Sequence, residues 1–220
     1  AQSQIHRFLN SVGGYVRRVN SYSLGAARVL MPHIVTPMDE LMGTPTSWDV
    51  LAAHTRLFLC FGGVPAKNAQ ISQGMVGDHK VRAGLRQMAQ AGTRFVNISP
   101  VDTDLETGAE HEWVAIRPNT DAALMLALCY TLYDEDLHDR GFLSSHCEGF
   151  DRFLPYLIGK TDGIAKTPTW AESITTVPAR RIAELARELA ATRSMVTASW
   201  SLQRSHHGEQ PYWALVTLAS

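Results

Sequence analysis

The first candidate for chemistry is Tyr22-Ser23-Leu24-Gly25-Ala26-Ala27, a serine set directly ahead of three small residues. A serine in that place can cap a helix, attack a substrate or bind a metal through its oxygen. Attack needs a neighbouring base, and the motif contains none. Four further clusters of polar side chains follow short apolar runs. In Gly62-Gly63-Val64-Pro65-Ala66-Lys67-Asn68, the glycines let backbone approach a ligand, while Lys67 and Asn68 can address a phosphate or a carbonyl. The loop matches neither GxGxxG nor the Walker A pattern. Ser99-Pro100-Val101-Asp102-Thr103-Asp104 offers carboxylates that can accept two hydrogens from a ribose or a guanine, or form a solvated turn. Arg117-Pro118-Asn119-Thr120-Asp121 reads as a helix start, whose free N–H groups suit a side-chain cap and also an anion. The stretch from Trp200 to Glu209 is dense in donors and acceptors, with Gln203 and Arg204 suited to a planar, heteroatom-rich ligand. His206 and His207 are adjacent, so on a helix they diverge by about 100° and do not chelate together.

These clusters need strands to present them. Arg56–Phe61, Arg94–Ile98, Glu112–Ile116 and Ser194–Trp200 are short apolar runs with strand character. Helical spacing marks residues 2–18, interrupted near Gly13-Gly14, then Ser23–Met31 with a stop at Pro32, 77–91, Ala122–Tyr133, a short piece near 138–145, and Pro178–Ala191. Residues 36–48 and 150–177 read as turn-rich. Strands alternating with helices predict an α/β fold, a largely parallel Rossmann-like sheet flanked by helices. Ligands of such sheets collect at the carboxyl ends of the strands, where all four clusters stand. The expected division is a cofactor-binding α/β domain over 55–200. Residues 1–54 and 201–220 then belong to a neighbouring α/β domain. Because the chain opens and closes inside helices, it reads as a piece of a longer protein.

Composition narrows the function. Twenty basic residues against twenty-one acidic ones leave a formal charge of −1, with no charge block to hold nucleic acid. The cysteines Cys60, Cys129 and Cys147 form no CxxC pair, so neither a zinc nor an iron–sulfur motif is written here. No apolar run reaches the roughly 20 residues that span a bilayer.

The segments YSLGAARVLMPHIV, FVNISPVDTD, RPNTDAALMLAL, PYLIGKTDGIAKTPTWAE and SWSLQRSHHGEQPYWALVTLAS, in that order, resemble the dimethyl sulfoxide reductase family of molybdopterin oxidoreductases. Within that family the resemblance is to the biotin sulfoxide, trimethylamine N-oxide and dimethyl sulfoxide reductases. It implies that Ser23 is both the catalytic residue and the molybdenum ligand, through Oγ; a hard alkoxide suits a hard, oxophilic metal. It also implies a bis(molybdopterin guanine dinucleotide) cofactor. Lys67 and Asn68 would then lie near phosphate, Ser99, Pro100 and Asp102 near ribose or guanine, and Asp121 at the guanosine end. Trp200, Gln203 and Arg204 would meet pterin and pyrophosphate. The implied activity is reduction of a small S-oxide or N-oxide, with an electron donor and the rest of the polypeptide as partners. Two departures stand out. Ser21 occupies a place where relatives commonly carry aspartate, and Phe61-Gly62-Gly63-Val64-Pro65 replaces a Trp-x-Ala-Asn-Pro loop. The alternatives are another molybdopterin chemistry, whose branches typically place cysteine, selenocysteine or aspartate on the metal, and a nucleotide-binding domain without catalysis.

Overall fold

Leu57–Phe61 is apolar at every position, and a strand apolar on both sides must be covered on both faces. This strand, β1, lies inside a four-stranded, all-parallel sheet of order β3-β2-β1-β4, formed with β2 (Arg94–Ile98), β3 (Glu112–Val114) and β4 (Ser194–Ala198). Leu57 pairs with Arg94 on one side and Ser194 on the other, and Phe61 pairs with Ile98 and Ala198. The computed structural model describes residues 2–16, 21, 23–68 and 79–220. Tyr22 and residues 17–18 and 77–78 of the expected helices lie outside them.

Helices α1 to α4 precede the sheet at Gln2–Ser11, Gly25–Ile34, Met38–Gly43 and Trp48–His54. Helix α5 (Lys80–Gln90) joins β1 to β2. The path from β3 to β4 runs through α6 (Asp121–Asp134), α7 (Arg140–His146), α8 (Phe150–Leu157), α9 (Pro168–Thr175) and α10 (Ala179–Ala191), and α11 (Glu209–Ala219) follows β4. Strand alternation sorts the core into two layers. Leu59, Phe61, Val96 and Ile98 join Leu128 of α6 and Leu185 of α10 on one face, where Leu218 of α11 also packs. Phe58, Cys60 and Phe95 face Ala52 of α4 and Leu85 and Met88 of α5 on the other. Each fully buried Leu or Phe contributes about 1.5–3 kcal/mol. At the amino ends of the strands, Arg94 and Arg181 both bind Glu112 and Glu188, tying β2, β3 and α10 together away from the ligand end.

Several expectations change. Helix α2 does not stop at Pro32 but runs to Ile34, because its exposed outer side tolerates the single backbone bond that proline removes. The third strand is shorter than expected and ends at Val114. Residues 36–48 contain α3 and the start of α4. Residues 150–177 contain α8 and α9 around a buried lysine. Lys166 Nζ lies 2.6 Å from Asp162 and 4.2 Å from the centre of the Tyr156 ring, closing the turn between those helices. Helix α9 ends on Thr176, held at φ 67°. A β-branched residue in that left-handed region is strained by about 1–2 kcal/mol. Thr176→Gly is therefore expected to stabilise the fold by about 1 kcal/mol, seen as a higher urea midpoint at unchanged slope.

Candidate functional site

From β1 the chain winds through α5 to β2 on one side and returns through α6–α10 to β4 on the other. The order reverses between β1 and β4, and ligands of such sheets bind outside the strand ends at that switch point. Three loops converge there. Gly62 and Gly63 take φ 77° and 66°, and a Cβ at Gly62 would fall 2.4 Å from Ser199 Oγ. One at Gly63 would fall 2.4 Å from the Asp104 carbonyl oxygen, which accepts a bond from Val64 N–H at 2.8 Å. The glycines therefore let the loops after β1, β2 and β4 close on one another.

Within the β2 loop, Ser99 is fully buried. Its Oγ donates to Asp104 at 3.0 Å, and its carbonyl accepts from the Trp113 indole at 2.8 Å. Asp104 turns inward, with Lys67 Nζ 3.6 Å away; Lys67 itself stays largely exposed, and so does Asn68. Asp102 and Pro100 are exposed, and Asp102 stands 3.4 Å from His111 Nε2. Of the two acids, Asp104 organises the loop, which spacing alone did not distinguish.

The second cluster surrounds Ser23. Ser23, Gln203, Arg204 and Ser205 line an open depression of about 410 Å³. The N-cap of α2 is Leu24, which supplies no side-chain cap, so Ser23 does not cap this helix. The free N–H of Ala27, in the first turn, is instead satisfied by Gln203 Oε1 at 3.0 Å from 176 residues away. Gln203 is buried; its amide nitrogen is 3.4 Å from the Tyr212 hydroxyl, which donates to the Ser199 carbonyl at 3.2 Å. Gln203 thus fastens the helix that follows Ser23 to the turn after β4. Arg204 reaches the Ser23 carbonyl at 3.5 Å and is otherwise exposed, and Trp200 is also exposed at the start of the same turn. The hydroxyl of Ser23 is exposed, 3.0 Å from that of Ser21. The rings of His206 and His207 stand 3.9 Å apart, and among the described residues no three His, Cys, Asp or Glu side chains converge on one point.

Asp121 sits apart from both clusters, as the first residue of α6. Thr120 occupies the N-cap position but turns its hydroxyl back to the Arg117 carbonyl at 2.7 Å, so the expected side-chain cap is absent. Burial pushes the Asp121 carboxyl from 3.8 up to about 6, while a bond from its own N–H pulls the other way. Among the described residues no cation faces it. Between those two values the folded chain holds this proton more tightly than the unfolded chain, so stability falls as pH rises through the window and stays lower above it. Asp121→Asn is expected to stabilise the fold by about 1–2 kcal/mol at pH 7. Full linkage, ~1.36 kcal/mol for each pH unit between those two values, would give about 3 kcal/mol; the gain is smaller because the amide is itself a buried polar group. The gain should vanish below about pH 4 in urea titrations.

A donor set of this kind fits a large anionic cofactor bound through a hard metal. It offers an open hydroxyl oxygen, an exposed guanidinium at the same depression, an exposed ammonium on the loop after β1 and a buried carboxylate bonded by its own N–H. The molybdopterin oxidoreductase family model matches residues 1–220. The chain is 44% identical over 218 residues to the dimethyl sulfoxide/trimethylamine N-oxide reductase of Rhodobacter capsulatus, covering 98% of this chain and 26% of that protein. It is 40% identical over 220 residues to the biotin sulfoxide reductase of Cereibacter sphaeroides, covering all of this chain and 30% of that protein. The chain thus spans about a quarter to a third of the length of these relatives. Acetylene hydratase from Pelobacter acetylenicus shares the fold, with TM-score 0.58 and 20% identity over 76% of this chain and 21% of its own. With its full length matched and this degree of likeness to named reductases, the chain belongs to the molybdopterin oxidoreductase family, which implies molybdenum held on a molybdopterin cofactor.

Proposed function

We propose that this chain is part of a longer molybdenum oxotransferase that reduces a small S-oxide or N-oxide on a bis(molybdopterin guanine dinucleotide) cofactor. When bound, the cofactor supplies the two-electron oxygen-atom transfer. The supporting observation is the Ser23 hydroxyl, free of helix capping and open to the depression that Arg204 also lines. In this reading Ser23 Oγ is the protein ligand to the metal, and Arg204 and Trp200 face pterin and pyrophosphate. Lys67 and Asn68 lie beside phosphate. Ser99, Pro100 and Asp102 shape the ribose and guanine side, and Asp121 accepts N–H donors of guanine, a partner that would lower its raised pKa. Gln203 also lines the depression, but both ends of its amide are engaged by protein, so its part is to position the serine segment. The division into an α/β unit over 55–200 and a neighbouring unit over 1–54 and 201–220 belongs to the same proposal. The electron donor comes from outside the chain. Among the described residues no helix is long and apolar enough to cross a membrane.

Metal and nucleotide analysis of the full-length protein tests this reading. Molybdenum accompanied by about two GMP equivalents per metal after hydrolysis is expected for a two-pterin cofactor. Molybdenum without guanylate contradicts the dinucleotide assignment.

A further inference from the structure

Resting on that reading of Ser23, we propose that Ser21 is a positioning and tuning residue for the metal-binding oxygen. The Leu24 N–H donates to the Ser21 carbonyl at 3.2 Å, closing a turn that brings the two hydroxyls within 3.0 Å of each other. In the chain alone either hydroxyl can donate. Binding to a metal removes that freedom: the Ser23 proton leaves to solvent, its oxygen becomes an acceptor, and Ser21 Oγ–H is the donor facing it. Arg204 holds the same residue by its carbonyl and Gln203 holds the following helix, so the pair keeps its geometry.

A hydrogen bond to an anionic ligand draws electron density from it and makes the metal easier to reduce, one of the levers by which a protein sets a redox centre. An ionised aspartate at position 21 acts in the opposite sense, since it has no proton to give and adds negative charge beside the alkoxide. The serine at this position thus places the centre at a higher potential than an aspartate would.

The test is a redox titration of full-length protein followed by molybdenum EPR, comparing wild type with Ser21→Ala, Ser21→Thr and Ser21→Asp, and with Ser23→Ala as reference. Metal content is expected to stay at wild-type level in all three Ser21 variants. The potential should fall in Ser21→Ala, fall further in Ser21→Asp and return to near wild type in Ser21→Thr. If Ser23→Ala alters the molybdenum spectrum while Ser21→Ala and Ser21→Asp leave the potential unchanged, the role of Ser21 is overturned and the metal assignment stands. If Ser23→Ala leaves the spectrum unchanged, the underlying assignment fails and the Ser21 proposal with it.

Discussion

Ser23→Ala in the full-length protein is expected to lower S-oxide or N-oxide reduction by more than about 100-fold, the upper end of what loss of a mere supporting contact to a metal ligand costs. Stability should barely change. The hydroxyl is exposed, caps no helix and among the described residues bonds to the hydroxyl of partly exposed Ser21, so its removal orphans no fully buried group there. Steady-state assays with a chemical reductant, alongside urea unfolding, separate the two effects. A serine acting through the fold would lose stability and activity together, and a ligand loses activity alone.

Gln203→Leu should show the opposite balance, with stability falling first and activity following. Leucine nearly matches glutamine in shape but leaves the Ala27 N–H without its acceptor and removes one partner of the Tyr212 hydroxyl. A buried group stripped of its partner costs about 1–3 kcal/mol, so a loss of about 3 kcal/mol is expected for the two together. Because the same bond fixes the start of α2 beside Ser23, activity in the folded fraction should also drop by about 10-fold or more. Gln203→Glu retains an acceptor for Ala27 and, beside a helix N-terminus, is expected to recover most of the stability. Thermal melts and assays at matched folded fraction distinguish this from direct cofactor contact, for which stability would not move.

The sheet was legible because its signals are local. The apolar runs at Leu57–Phe61 and Arg94–Ile98 end in glycine or Ser-Pro, and Ile182, Leu185 and Ala186 repeat at helical spacing in α10. Helices of two turns or fewer carry no such period. The signals for α4 and α9 lay in their caps: Ser47 accepts from Val50 N–H at 3.5 Å, and Thr167 accepts from Trp170 N–H at 3.1 Å ahead of Pro168. Prolines at 37 and 45 outweighed the first of these in a reading by composition. The candidate site divides along the same line. Polar clusters behind strand ends could be placed from the fold class alone. The inward turn of Gln203 depends on a backbone group 176 residues earlier, and the choice of Asp104 over Asp102 depends on how one short turn winds after β2. Neither leaves a trace in spacing.

In the proposed function one protein oxygen, at position 23, binds the molybdenum. X-ray absorption at the molybdenum edge, recorded on full-length wild type and Ser23→Ala side by side, reports on that bond directly. A singly bonded oxygen is expected in the wild-type shell and is lost or replaced in the variant, while the sulfur shell from the pterins persists. Two superimposable spectra would show that the metal never held this serine.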